Sequence, residues 1–260
     1  MIIKTSADQE GMNRASYICA VVRQAMLDAI VPGITTLELD EIAQKVMKEH
    51  DSISAPIHFY EFPGWTCISV NEVVAHGIPS NRILQAGDKV NVDVSLLHNG
   101  YCGDTGATVF VGETTERRQE LLAASEEALR RGILEAQSGA FLHRIGGAIY
   151  QSARQSGFTV IRNLCGHGIG RTLHEAPGEI LNYLDRSDRY RLPEGVVLAI
   201  ETFISEGDDF VEQDEKDGWT LTTPRDSWVV QFEHTVQVTK KGPQILTALP
   251  NGAGLQYSMP

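Results

Sequence analysis

The order of predicted elements occurs twice along this chain, and this repetition constrains the fold more than any other sequence feature. Apolar residues at helical spacing predict a helix over 8–30, and Thr35 with Glu38 forms a capping pattern that begins a second helix. Strand-rich sequence follows, and helices predicted over 115–137 and 141–155 precede further strands. A chain that repeats its element order in this way is expected to contain two similar halves.

Short polar motifs recur in the same order in the two parts of the chain. A His-Gly-Ile triplet, a strand interrupted by a carboxylate, and a carboxylate followed by a β-rich run occur in each part. The corresponding positions are His76 with His167, Asp93 with Glu201, and Asp104 with Glu233. Chance similarity is the alternative, but three matches in one order make it the weaker explanation.

These matches predict an α+β fold with two pseudo-symmetric helix-helix-strand halves around a central antiparallel sheet. No low-complexity linker separates the halves, so residues 1–249 are expected to form one domain, with halves 1–114 and 115–249. Residues 250–260 are small and polar and are expected to form a loose tail. In such a fold the paired polar positions would meet at a central cleft.

The composition indicates a globular protein with an acidic surface. Its net charge of −12 disfavours binding to nucleic acid or to an anionic membrane. The sequence has neither a secretory signal nor a run of about 20 apolar residues. Its 4 cysteines form no CxxC pair, which favours reduced thiols over a zinc module. We therefore expect a cytoplasmic protein without nucleic-acid or membrane partners.

Carboxylates interrupt the apolar strands of both halves. Glu201 lies in a nearly continuous hydrophobic run with no nearby Lys or Arg, where a lone ionised carboxylate would be costly to desolvate. A bound cation would supply the missing charge. Asp93 and Glu233 interrupt similar runs, whereas Asp104 follows a glycine and would also suit a turn. Each residue alone has an ordinary structural explanation, and their convergence favours metal binding.

His167 adds one nitrogen to this set of oxygen donors. Glycines on both sides let the backbone approach its imidazole closely. The run lacks the spacing of a phosphate-binding loop, and Cys165 lies near His167 only in sequence, a weak basis for a cysteine nucleophile. Four carboxylates and one imidazole suit two divalent first-row ions.

Two further histidines, His76 and His174, are expected near the same cleft without binding metal. They suit stabilisation of charge on a substrate or transfer of protons. A lone histidine is more often structural, so both roles depend on the convergence of the halves. The acidic segment 205–218 has two interpretations, a solvated loop or a surface that screens incoming peptides.

Four segments of the chain together resemble the type I methionine aminopeptidases, which have the pita-bread fold. They are 62–79, 87–94, 165–171 and 231–235, within a resemblance that extends from about residue 3 to residue 247. The resemblance implies a single catalytic pita-bread domain that hydrolytically removes the initiator methionine from nascent polypeptides and favours a small second residue. It also implies a cytoplasmic monomer that meets nascent N-termini near the ribosome.

The resemblance implies two divalent metal ions as cofactors, either cobalt, manganese, iron or zinc. It assigns the ligands to Asp93, Asp104, His167, Glu201 and Glu233. Asp104 and Glu233 would bridge both ions, and a metal-bridging hydroxide would attack the peptide carbonyl. Glu201 would transfer protons, His174 would stabilise the oxyanion, and His76 would contact the scissile amide nitrogen.

The same resemblance predicts an apolar methionine pocket with an altered lining. Besides His76 and His174, the substrate-binding residues would be Phe59, Phe62, Cys67, Leu173 and Trp219. Leu173 replaces a usual Phe, both phenylalanines replace common tyrosines, and Pro56 replaces a frequent Cys. Two alternatives stay open: a related aminopeptidase of different N-terminal specificity, and a non-catalytic binding protein on the same fold. All five ligand positions are present, which disfavours the second.

Overall fold

The computed structural model describes residues 1–249, and its helices pack against antiparallel sheets. The helices are α1 (Ser6–Ala29), α2 (Thr36–Glu49), α3 (Ala55–Tyr60), α4 (Glu116–Leu134) and α5 (His143–Gln155). The strands are β1 (Ile53–Ser54), β2 (Cys67–Val70), β3 (Val73–Ala75), β4 (Lys89–His98), β5 (Tyr101–Phe110), β6 (Thr159–Val160), β7 (Cys165–Gly168), β8 (Glu175–Leu181), β9 (Val197–Ser205), β10 (Glu212–Gln213), β11 (Leu221–Thr222), β12 (Val229–Thr239) and β13 (Gly242–Ile245). The predicted tail, 250–260, lies outside the described residues.

The first helices begin where the sequence places their caps. The Thr35 side chain accepts a hydrogen bond from the backbone N–H of Glu38, whose carboxylate accepts one from the N–H of Thr35. Thr5 and Asp8 form the same reciprocal pair at the start of α1. Each capping box satisfies backbone donors that have no partner inside the helix, which fixes the first turn.

Each half of the chain builds an apolar core from its helices and strands. Successive side chains of β4 point alternately to the first core and to the cleft. Val92 and Val94 are buried in that core. Asn91 and Ser95, on the opposite face, contact polar groups on neighbouring strands. The second core packs α4 against β9 and β12, and α5 against α4, β6 and β8. The exact boundary at residues 114 and 115 stays a prediction.

Within residues 1–249 all strand pairs are antiparallel, but they form separate sheets. Strand β4 pairs with β1, β2 and β5, whereas β9 pairs with β6, β7 and β12. The expected α+β class is confirmed. The two main sheets meet where β5 lies beside β12, at the centre of the molecule.

Side chains rather than a backbone ladder join β5 to β12. The Thr105 hydroxyl donates to the carbonyl of Glu233 at 2.8 Å, and the Thr235 hydroxyl donates to that of Asp104 at 2.7 Å. The Thr108 hydroxyl donates to the backbone carbonyl of Gln231, also at 2.8 Å. We call Thr105, Thr108 and Thr235 the threonine seam, because they hold the two sheets together.

A third, small sheet links the second half to the first. Strand β11 pairs with β10 on one side and with β3 on the other, with Leu221 opposite Ala75. The acidic segment 205–218 therefore contains a short strand, and its Asp208 is buried in an ion pair with Arg225. The burial of Asp208 thus differs from the solvated loop that the acidic composition of segment 205–218 suggests.

The sequence does not predict helix α3, because six residues are too few to show helical periodicity. The Ser54 side chain caps its first turn, Pro56 fits the position where no N–H partner is needed, and Glu61 ends it in a left-handed conformation at φ 59°. Among the strands that follow α5, β6 ends at Val160 and β7 begins at Cys165.

Lys89, the first residue of β4, has a fully buried side chain. Its ammonium donates to the carbonyls of Val73 at 3.0 Å and Val229 at 2.8 Å. Desolvation lowers the pKa of Lys89 to about 7, and the smaller attraction of Glu72 opposes that shift.

This burial predicts that stability depends on pH in a defined direction. The folded chain releases the Lys89 proton near pH 7, whereas the unfolded chain keeps it to about pH 10.5. Unfolding therefore takes up a proton between these values, and the free energy of unfolding should rise with pH. Lys89→Met should flatten this rise, while Lys45→Met at an exposed position should not. Urea unfolding of the metal-free protein across this range measures the slope, and an unchanged slope in Lys89→Met contradicts the prediction.

Candidate metal centre

The five predicted ligands lie on five strands and line a single cavity. Strands β4 and β5 of the first half carry two of them, and β7, β9 and β12 of the second half carry three. The cavity has a volume of about 370 Å³. The ligand positions along it are Asp93, Asp104, His167, Glu201 and Glu233. The predicted convergence of the two halves is therefore present in the structure.

Three of these residues already form a compact donor cluster. One ligand atom each from Asp104, His167 and Glu233 lies within 4.8 Å of the others. The His167 Nε2 is 3.6 Å from one oxygen of Asp104, and the Ser95 hydroxyl donates to the other oxygen at 2.8 Å. Ligands about 2 Å from a common ion are separated by such distances, so the cluster fits a divalent cation.

The register of the strands determines where the other carboxylates lie. Glu201 and Glu233 are directly opposite in the β9–β12 pair, and the amide of Gln231 donates to both, at 3.5 and 3.3 Å. Asp93 instead lies opposite Gly106, and Asp104 lies opposite Ser95. The symmetry between the halves is therefore approximate, with a shift of register in the first half.

Close packing leaves no room for a side chain at two glycine positions near these ligands. A Cβ on Gly106 would lie 2.2 Å from the Gln231 side-chain oxygen, so the amide that holds both glutamates requires glycine there. Beside His167, a Cβ on Gly166 would lie 2.4 Å from the carbonyl oxygen of Ala199. The chain must therefore approach the neighbouring strands closely at both places.

The electrostatics of the cavity favour a bound cation. Burial raises the pKa of Asp93, Glu201 and Glu233 well above the ordinary values, and repulsion among the clustered carboxylates raises it further. The side chains that line the cavity within the described residues include no lysine or arginine. A metal ion is thus the group that would compensate this charge.

The orientation of His167 suits metal binding. Its Nδ1 lies 3.1 Å from the backbone carbonyl of Gly168. A carbonyl only accepts hydrogen bonds, so in the neutral form of this imidazole Nδ1 carries the proton and Nε2 has the lone pair. That lone pair is on the nitrogen nearest Asp104. In metal sites, a hydrogen bond from the other ring nitrogen commonly orients the imidazole that binds the metal.

His76 and His174 also line the cavity, as predicted for the histidines that do not bind metal. The His174 ring centroid is 4.0 Å from that of His167. Desolvation, with the nearby His167 as the next cause, lowers the pKa of His174 to about 4, so its imidazole is neutral near pH 7. His76 has a φ of 55°, a left-handed conformation that turns the chain at the cavity wall.

The apolar wall of the cavity agrees with most of the predicted pocket. Phe62, Cys67, Leu173 and Trp219 line it, and the Phe62 and Trp219 rings meet edge to face at 5.2 Å. The pairing of β11 with β3 places Trp219 beside the first half. Phe203, which the sequence did not single out, completes the wall from β9.

The structure corrects the predicted position of Phe59. Its side chain packs against the first apolar core, and the adjacent Tyr60 lines the cavity instead. Successive side chains on a helix point about 100° apart, so these neighbours on α3 face different surroundings. Because α3 was not predicted, nothing in the sequence indicated which of the two side chains would face the cleft.

The geometry is that of a hydrolase built around a metal centre. The chain matches metallopeptidase family M24 over residues 10–240. It is 47% identical to the methionine aminopeptidase of Staphylococcus epidermidis, over 96% of this chain and 99% of that protein. Methionine aminopeptidase 2 of Bacillus subtilis is 46% identical, over 96% and 100%. The crystal structure of methionine aminopeptidase from Rickettsia prowazekii matches with a TM-score of 0.90 and 37% identity, over 95% and 100%.

The chain therefore belongs to metallopeptidase family M24 and, within it, to the type I methionine aminopeptidases. The predicted pita-bread fold is confirmed by the similarity to a solved structure of that group. No helix among residues 1–249 is both long enough and apolar enough to cross a membrane.

The raised carboxylate pKa values predict that metal binding releases protons. Carboxyl groups with raised pKa values keep their protons to higher pH than free carboxyl groups do, and a protonated group must lose its proton to bind Mn²⁺ or Zn²⁺. Calorimetry of the metal-free protein in buffers of different ionisation enthalpy measures this release. Glu233→Gln should release fewer protons and weaken binding by at least about tenfold, whereas Glu212→Gln on exposed β10 should match the wild type. Metal binding without proton release would show that the carboxylates are already ionised.

Proposed function

We propose that this enzyme removes the initiator methionine from nascent polypeptides by hydrolysis that depends on two divalent ions. One observation carries the proposal. Four carboxylates and the imidazole of His167 line a cavity whose described lining includes no lysine or arginine, next to an apolar wall. The identity with several methionine aminopeptidases supports methionine as the residue removed.

The donor set fits two ions better than one. Asp104 and Glu233 lie in the compact cluster and each has two carboxylate oxygens, so they would contribute to holding both ions, and Asp93, His167 and Glu201 would supply the remaining donors. Cobalt, manganese, iron and zinc are all compatible with oxygen donors and one imidazole. When bound, such ions polarise a carbonyl and lower the pKa of water.

Around that centre, the protein groups would hold and transfer protons. Glu201 has a carboxylate whose raised pKa suits it to take a proton from the attacking water and pass it to the leaving amine. His174 is neutral near pH 7 and would donate an N–H to the oxyanion that develops on the carbonyl. His76, which also lines the cavity, would contact the scissile amide nitrogen.

The apolar wall suits a methionine side chain. Phe62, Leu173, Phe203 and Trp219 offer aromatic and aliphatic contacts to an unbranched thioether. We expect a small second residue to be favoured, and we place the enzyme in the cytoplasm as a monomer near the ribosome. The altered lining at Leu173 favours one alternative, an aminopeptidase that prefers a different N-terminal residue.

Substitution of Glu201 tests the proton-transfer role. We expect Glu201→Ala to keep its circular dichroism spectrum and to lose measurable turnover of a Met-Ala peptide when metal is supplied. The exposed Glu212→Ala provides a matched control that should retain wild-type rates. Near wild-type turnover by Glu201→Ala would refute this mechanism.

A panel of peptides tests specificity. Peptides that begin Met-Ala should be cleaved at least about tenfold faster than those that begin Met-Lys, because a long second side chain would meet the rim of the cavity. Chromogenic substrates with other N-terminal residues complete the panel. Faster release of any other residue than of methionine would favour the alternative aminopeptidase.

A further inference from the structure

Tyr60 makes a direct hydrogen bond to His174 that the predicted site did not include. Its hydroxyl lies 2.6 Å from Nδ1 of that imidazole, and the two rings meet edge to face with their centroids 5.5 Å apart. Tyr60 is 42% exposed and lines the cavity, so this contact lies at the cavity mouth.

The position of Tyr60 is fixed by its helix. The Ser54 side chain caps the start of α3, and the left-handed Glu61 ends the helix directly after Tyr60. Phe59 anchors the same turn by packing against the first apolar core. A short element that is capped at its start, packed and sharply terminated holds the phenol in one place, although its own surface is partly solvated.

The hydrogen bond determines which imidazole nitrogen remains available. A neutral imidazole has one N–H and one lone pair, so the group that bonds Nδ1 decides the state of Nε2. A phenol hydroxyl both donates and accepts, and burial with the nearby negative charges raises the pKa of Tyr60, so the hydroxyl has a proton to donate. When Tyr60 donates that proton to Nδ1 across the 2.6 Å contact, the imidazole proton must be on Nε2.

We propose that Tyr60 is a positioning residue for His174, whose Nδ1 accepts the Tyr60 hydrogen bond so that Nε2–H is directed to the substrate. The inference rests on the proposed function, because the group that Nε2–H meets is the carbonyl oxygen of the scissile peptide. Tyr60 itself transfers no proton in the reaction. It fixes the ring orientation and the tautomer.

The tautomer itself is measurable without turnover. In protein labelled with ¹⁵N at histidine, both the metal-free form and the zinc-loaded form should give His174 shifts of an Nε2-protonated ring. Assignment comes from the loss of those signals in His174→Asn. Tyr60→Phe should move the shifts toward a mixture of tautomers. An Nδ1-protonated ring in the wild type, or unchanged shifts in Tyr60→Phe, overturns the proposal.

The kinetic readout separates positioning from general stability. Tyr60→Phe keeps the aromatic ring, so we expect the melting temperature, zinc affinity and KM for a Met-Ala peptide to stay unchanged while kcat falls about tenfold. Tyr150→Phe, on the exposed face of α5, is the matched control and should leave every value unchanged. A fall in melting temperature with no separate loss of kcat would indicate a structural role and refute the proposal.

The two readouts distinguish failure of this inference from failure of the proposed function. A wild-type enzyme that releases another residue faster than methionine refutes the methionine assignment, yet the ¹⁵N shifts still report the tautomer. An active methionine aminopeptidase with unchanged shifts in Tyr60→Phe refutes the inference alone.

Discussion

Repulsion between like charges is the constraint on which the rest of this structure depends. Unit charges about 4 Å apart interact by about 4 kcal/mol at an effective dielectric constant of about 20, a large part of the stability of a typical domain. The fold nevertheless brings four carboxylates to one cavity. The amide of Gln231 and the hydroxyl of Ser95 hold individual oxygens in place without neutralising the charge. A bound cation would compensate the charge that these groups carry when they are ionised.

The threonine seam explains how the carboxylates are held despite their repulsion. Thr235 receives a hydrogen bond from the Asp104 N–H at 3.0 Å and donates to the carbonyl of the same residue, while Thr105 donates to the carbonyl of Glu233. The central ligands are thereby fixed through their backbones by groups from the opposite half. Their side chains remain free to face the cavity.

Much of this site was predictable because buried charge is rare in an apolar strand. Glu201 within a hydrophobic run and Asp93 on the polar face of β4 both indicated a compensating ion, and the repeated motifs indicated where the halves would meet. The phase of α3 was not predictable, because a helix this short shows no periodicity, and the family resemblance that indicates Phe59 does not indicate Tyr60. The contact of Tyr60 with His174 joins residues 114 positions apart, and local patterns carry no information about such a pair.

The distribution of the proposed ligands has a consequence for biosynthesis. The first half contributes Asp93 and Asp104, and the other three donors are translated later in the chain. If these five residues hold the ions, a partly synthesised polypeptide would lack a complete metal centre until its second half has emerged and docked. Binding of the ions would then coincide with completed assembly, and the division of ligands between the halves would delay peptidase activity until that point.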